Sequence, residues 1–277
     1  MSLIVFAVVL AAALLHATWN AIVKAGGDKF LTTMMVTTAA AGISATMLPF
    51  LAVPARASWP YAVASTLFQI PYLLLVARTY QITDMSQAYP LMRGTAPLIV
   101  ALVSVFGMGD ALSPLAWCGV TGICIGIVSI ALCGRFQDRN GLSLALLNAF
   151  FIAGYTLIDG AGVRRSGAPA AYTLWVFLLT GLPLMLWAIF TRRSRFVAYC
   201  GRYWRQGIAG GLGTTASYGL ALWAMTVAPV AVVAALRETS IVFGTMIAGL
   251  LLKESIGPGR VVAACVIAAG AAILRAA

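Results

Sequence analysis

Residues 77–133 recur, shifted by 144 positions and without a gap, as residues 221–277. Arg93 falls on Arg237, Asp110 on Glu254, Pro114 on Pro258 and Gly126 on Gly270. Most other positions pair one small or apolar residue with another. A chain that carries the same pattern twice is expected to build the same unit twice. How the two units sit relative to each other then depends on the solvent they fold in.

Composition identifies that solvent. The chain is 62% hydrophobic and 9% charged, with a mean hydropathy of +0.97, whereas a water-soluble domain carries roughly a quarter charged residues. Its apolar runs have the length a helix needs to cross a bilayer core. Ten spans are expected, near 3–24, 30–52, 59–79, 85–106, 113–133, 141–162, 171–191, 203–224, 229–251 and 257–275. The sequence thus predicts an all-α membrane protein: ten transmembrane helices in two five-helix repeats, residues 1–134 and 141–277. The short polar stretch Arg135–Gly141 separates them. Five is odd, so the second repeat enters from the opposite face and has inverted topology. Inverted repeats around a central cavity are the architecture of secondary transporters.

The net charge of +11 does not point to nucleic acid, because the basic residues lie almost entirely between apolar runs, where they anchor helix ends at the membrane surface. Arg56, Arg164, Arg165 and Arg275 fall on the N-terminal side. Lys24, Lys29, Arg78, Arg135, Arg139, Arg192, Arg193, Arg195, Arg202, Arg205, Lys253 and Arg260 fall on the other. By the positive-inside rule both termini are expected outside. Cys118, Cys124, Cys133, Cys200 and Cys265 form no CxxC pair and read as packing residues. The first apolar run lacks a basic flank and a cleavage site, so it reads as a retained span.

Small residues and prolines mark helix contacts and weak points. Gly122, Gly126 and the Ala264/Ala268/Ala272 series read as close-packing faces, serving internal packing or else a homodimer. Pro71, Pro90 and Pro97 allow kinks in spans three and four. Gly207, Gly210, Gly211 and Gly213 are expected to loosen span eight. Pro90, Pro97 and Gly211 are therefore candidate gating positions.

Ionisable residues far from helix ends are costly and point to function. Here they are Arg93 in span four, Arg237 and Glu238 in span nine, Asp159 in span six and His16 in span one, the last accompanied by Asn20. Helical spacing aligns them into stripes: His16, Asn20 and Lys24; Asn148, Tyr155 and Asp159; Ser86, Tyr89 and Arg93; Arg237, Ser240 and Gly244. Four stripes on four helices are expected to enclose one central polar cavity. An arginine fork there matches a carboxylate, and Glu238 or Asp159 suits an ammonium. Alternatively the two arginines and two acids neutralise one another as structural pairs. Tyr89 and Tyr155, which share stripes with the charges, are candidate walls, and Tyr72 and Trp19 weaker ones. His16, Asp159 and Glu238 are candidates to carry a coupling proton.

Enzyme readings find little support. Gly107-Met-Gly-Asp110 spells the GxGD pattern of intramembrane aspartyl proteases, but Asp110 is followed at once by a turn and Pro114, and its copy at Glu254 lacks the glycines. A single histidine excludes a HExxH zinc site, and no Walker-type loop is present. No metal or cofactor is implied.

The repeated stretch also carries a family resemblance. Pro97-Leu, the acid at 110, Pro114, and Gly119, Gly122 and Gly126 resemble the closing motif of the EamA repeat. Leu236-Arg-Glu-Thr-Ser through Leu251-Leu-Lys-Glu254 is similar, and His16-Ala-Thr-Trp-Asn20-Ala-Ile-Val-Lys24 and Tyr155-Thr-Leu-Ile-Asp159-Gly look like its opening motifs. The chain therefore resembles the EamA-type ten-helix members of the drug/metabolite transporter superfamily, including their amino-acid and aromatic amino-acid exporters. The resemblance implies a basket of ten helices with its cavity built mostly from spans three, four, eight and nine. Among its activities, export of amino acids or similar small zwitterions across a bacterial inner membrane is the leading expectation, by a monomer or else a homodimer. A multidrug or cationic-metabolite exporter is the alternative, and an intramembrane enzyme a more distant one. The partners implied are the solute and the lipid bilayer, with no nucleic acid. Gly94 stands where Glu238 stands in the other copy, so substrate is expected to be held asymmetrically.

Overall fold

The computed structural model describes residues 1–25, 27–82, 85–132, 139–250 and 257–277, apart from the side chains of 23–25, 29, 77, 80–82, 85–89, 130–132, 139 and 248–250. Most of the Arg135–Gly141 boundary, Cys133, Lys253 and Glu254 lie outside the described residues. So do the side chains of Lys24, Ser86 and Tyr89.

Among the described residues the regular structure is entirely helical, as hydrocarbon demands of a chain that must satisfy its own backbone groups. The helices are α1 (Leu3–Ala25), α2 (Lys29–Met47), α3 (Trp59–Ile82), α4 (Met85–Leu102), α5 (Pro114–Leu132), α6 (Arg139–Ser166), α7 (Pro169–Val227), α8 (Val230–Arg237), α9 (Ser240–Leu250) and α10 (Pro258–Ala276). Eight apolar stretches are long enough to cross a membrane, α8 and α9 counting as one, and α5 adds a shorter one. Large apolar side chains face outward, Phe106 at 80% exposure and Phe190 at 83%. Their natural solvent is lipid.

Three departures from regular helix position the site. Spans seven and eight are continuous in α7, whose 59 residues would reach about 88 Å if straight. Non-helical backbone at Arg192 (φ −142°, ψ 34°) and Tyr203 (φ −116°, ψ 21°) divides it into two arms, 169–191 and 204–227, and a connector. Span nine breaks between α8 and α9, where the Glu238, Thr239, Ile241 and Val242 amides bond three residues back instead of four. α4 ends in a π-helical turn, Val103–Gly107. Ser104 there is hydrogen-bonded to the Asp110 side chain and accepts from its amide at 3.0 Å. Asp110 therefore closes a helix end, as expected from the turn that follows it.

The helices approach through glycines. A Cβ added to Gly119 or to Gly270 would lie 3.0 Å from the other residue's carbonyl oxygen, so α5 and α10 meet backbone to backbone. Gly126 packs on Ile267 and Ala263. The α10 face in contact is Ala263, Ile267, Gly270, Ala271 and Leu274, all buried. The expected Ala264/Ala268/Ala272 face is not it: Ala268 and Ala272 are exposed, because the contacting stripe is displaced one residue around the helix.

α2 is clasped between the arms of α7. Gly181 of the first arm abuts Ala41 and the Thr37 carbonyl, while Gly207, Gly210 and Gly211 of the second abut Met35, Val36 and Ala39–Ala40. Gly207, Gly210 and Gly211, expected to loosen span eight, are also points of close approach. Asp28 caps α2, accepting from the Leu31 amide at 3.0 Å. The α7 connector docks beside it through the Thr32–Tyr199 hydroxyl contact at 2.6 Å.

A Cβ at Gly211 would lie 2.9 Å from the Ala40 amide nitrogen, which cannot rotate away. Gly211→Val should therefore destabilise the protein by about 1–3 kcal/mol. Gly42→Ala, with nothing within 4 Å, should be neutral or stabilising. Thermal unfolding in detergent checks both, and equal midpoints for the two variants would refute the packing argument.

Candidate functional site

Arg93 in α4 and Glu238, which follows α8, form a two-point ion pair. Arg93 Nε donates to Oε2 at 2.8 Å, and Nη2 lies 2.8 Å from Oε1. Each side chain is 6% exposed. The side-on fork is the geometry in which guanidinium and carboxylate bind most strongly. It joins the two repeated stretches through a position at which they differ, because Glu238 stands where the first copy has Gly94. At Gly94 an added Cβ would meet Ile127 and Val128 of α5 at 3.0–3.1 Å.

Asp159 is solvated differently. It is 0% exposed, and its carboxylate accepts from neutral donors. Tyr172 donates at 2.9 Å, Gln69 at 3.3 Å, and Tyr218 donates through a short hydrogen bond. Gln69 also donates to Ser65 at 2.9 Å. The expectation that two arginines and two acids form two pairs is thus met only at Arg93–Glu238. Arg237 lies over the Tyr218 ring instead, 5.0 Å from its centroid. It is buried, and Nε has no hydrogen-bond partner among the described residues. Tyr218 thus joins Arg237 to Asp159, ring to the cation and hydroxyl to the acid.

Arg93, Arg237, Gln69 and Tyr218 border a central cavity of about 100 Å³. Its wall takes His16 and Trp19 from α1; Thr33, Val36 and Thr37 from α2; Gln69, Tyr72 and Leu73 from α3; Arg93 from α4; and Tyr155 from α6. Phe177, Thr180, Thr214 and Tyr218 come from the two arms of α7, and Arg237 from α8. Tyr72, Tyr155, Tyr218 and Phe177 form a chain of rings with successive centroids 5.5, 6.3 and 5.9 Å apart. Trp19 donates its indole N–H to His16 Nδ1 at 3.2 Å. An indole can only donate, so Nδ1 is unprotonated and a neutral His16 carries its proton on Nε2.

The expected residues therefore separate into layers. Arg93, Arg237, His16, Tyr72 and Tyr155 reach the cavity; Glu238 and Asp159 stand behind its wall. Asn20 turns back to the His16 carbonyl at 2.7 Å, and Asn148 donates to the Met92 sulfur at 2.8 Å. Pro90 and Pro97 are buried within α4, and Gly211 faces α2. Gln69, Tyr172 and Tyr218 were not among the expected site residues. A polar Gln69 three residues before Tyr72, within an apolar span, was the available signal.

Residues 139–276 match the model of the EamA-like transporter family. The chain belongs to that family. The remaining repeated stretch, 77–133, repeats part of the matched region. A protein of known crystal structure shares the fold, with a TM-score of 0.78 at 20% identity over 98% of this chain and 96% of that one. The EamA assignment makes this a multi-pass membrane protein of the drug/metabolite transporter superfamily, with a small-molecule substrate.

Leaving Arg93 or Glu238 without its partner strands a buried charge, at a cost of about 3–5 kcal/mol. Arg93→Met and Glu238→Leu should each lower the unfolding midpoint strongly, and the double variant should recover much of the loss. Additive losses in this cycle would mean that the pair is not structural. Tyr218→Phe keeps the ring beneath Arg237 but removes a donor from Asp159. It should cost about 1.5–3 kcal/mol, checked by denaturant unfolding in detergent.

Proposed function

We propose that this EamA protein is a secondary transporter that exports amino acids or similar small zwitterionic metabolites from a bacterial cell by alternating access. In this reading α7 supplies two crossings, giving ten. The halves 1–134 and 141–277 are inverted repeats, with both termini outside. The protein works as a monomer in the inner membrane, without catalytic chemistry.

The helix contacts support the two-fold reading. If span n corresponds to span n + 5, the packing of α3 on α6 becomes that of the second arm of α7 on α1. Likewise α4 on α6 becomes α8–α9 on α1, and α5 on α10 maps onto itself. All of these pairs pack together.

The observation that carries the substrate reading is the cavity wall. It presents two arginines from matched repeat positions, hydroxyls, an amide and aromatic rings, and among the described residues no acid. A guanidinium suits a carboxylate, and the rings suit an apolar tail. A cationic substrate, the alternative, would find no counter-charge on this wall. The broken helix at Glu238–Thr239 and the glycine contacts between α2 and α7 are where two arrangements of the wall would exchange. Pro90, Pro97 and Gly211 are the proposed gating positions, and Tyr89 a further wall residue.

Uptake of radiolabelled amino acids into proteoliposomes tests the proposal. Saturable uptake of at least one is expected, with loss of about tenfold or more in Arg237→Ala. Transport of lipophilic cations with no amino-acid uptake would overturn it in favour of the cationic alternative.

A further inference from the structure

In the repeated sequence Arg93 matches Arg237, and Gly94 matches Glu238. The structure uses only one of the two arginine–acid combinations that this register allows. Arg93 of the first copy is forked by Glu238 of the second. The reciprocal combination would give Arg237 an acid at position 94, and that residue is glycine. Arg237 is consequently a cavity-lining cation, 6% exposed, whose Nε meets no acceptor among the described residues. An unmatched guanidinium at this depth is costly unless something supplies its anion.

Among the described residues no protein group on the wall does so. Asp159 is held behind Tyr218 and Tyr172, and Glu238 is occupied by Arg93. Thr180, whose buried hydroxyl also has no partner among the described residues, adds a neutral donor to the wall. His16 bonds Trp19 through Nδ1, leaving a donor at Nε2. The wall therefore offers abundant donors to an anion, whereas among the described residues an ammonium finds ring faces and hydroxyl, amide and backbone oxygens but no carboxylate. At about 100 Å³ the space is below the roughly 300 Å³ at which pockets for drug-sized ligands begin. A short solute fits it.

We infer that Arg237 is the anchor for the carboxylate of a small organic acid, filling the place of the acid missing at Gly94, and that the α-amine of an amino acid is not required for recognition. The transported class is then small monocarboxylates, among which amino acids are a subset. This deepens the transport reading proposed above and rests on it.

Isothermal titration of the purified full-length protein in detergent distinguishes the groups recognised, using alanine, propionate and alanine methyl ester. A second set is leucine, 4-methylpentanoate and leucine methyl ester. Within at least one set the deaminated acid should bind within about threefold of the amino acid, and the ester should show no saturable heat. Arg237→Lys, which keeps the charge but loses the fork, should weaken the acid tenfold or more while the protein remains monodisperse. Binding of an amino acid without its deaminated acid would overturn the inference and leave amino-acid transport standing. Binding of the esters, or of no member of either set, would also overturn it. The uptake panel judges the transport reading separately, since it scores amino-acid movement whether or not the amine is recognised.

Discussion

Charge within hydrocarbon must be matched, and the way each acid is matched shapes this molecule. An isolated ion at bilayer depth costs at least a few kcal/mol, so every buried carboxylate needs donors. Glu238 takes a guanidinium fork from Arg93. Asp159 takes neutral donors from Tyr172, Tyr218 and Gln69. Both solutions consume the acids behind the cavity wall and leave arginine at its surface. The cavity's electrostatic character is therefore a consequence of how the acids are satisfied, not of the overall positive charge, most of which lies at helix ends.

The same arrangement depends on how closely the helices approach. Gly181, Gly207, Gly210 and Gly211 bring both arms of α7 against α2, and Thr33, Val36 and Thr37 of α2 line the cavity. Tyr218, which joins Arg237 to Asp159, lies on the second arm. A shift of that arm against α2 would move the tyrosine and part of the wall together. Contacts made by glycine have no interlocking side chains on one side, so they allow sliding at smaller packing cost than knobs in holes. Close approach and mobility are compatible here.

Much of the scaffold was legible in the sequence because its causes are local or periodic. Run length gave the apolar helices, the 144-residue repeat gave the matched arginines, and mid-span charge pointed to the cavity. What remained hidden depends on contacts with no sequence rule. Asp159 meets Gln69 and Tyr218 across separations of 90 and 59 residues, and no spacing within one helix announces those partners. Counting charges predicted two pairs; only geometry shows that a tyrosine ring stands between the remaining arginine and acid. The α10 contact face was displaced because alanine is equally at home facing lipid or a neighbouring helix. Its position is decided by Gly119 and Gly270 across the interface.

The repeat also fails symmetrically expected tests in an instructive way. The break at Glu238–Thr239 has its sequence counterpart at Gly94–Thr95, which lies inside continuous α4 between Pro90 and Pro97. α4 instead departs from regular helix at Val103–Gly107. Duplicated scaffolds therefore carry their irregularities at different depths, so the two halves cannot exchange shapes as perfect copies. The single column that holds Gly94 and Glu238 combines both differences: one copy has a continuous helix and no acid, the other a broken helix and an acid turned toward Arg93. With one acid, pairing is complete on one side and open on the other, and in the reading proposed above that inequality is what leaves Arg237 to hold an anion.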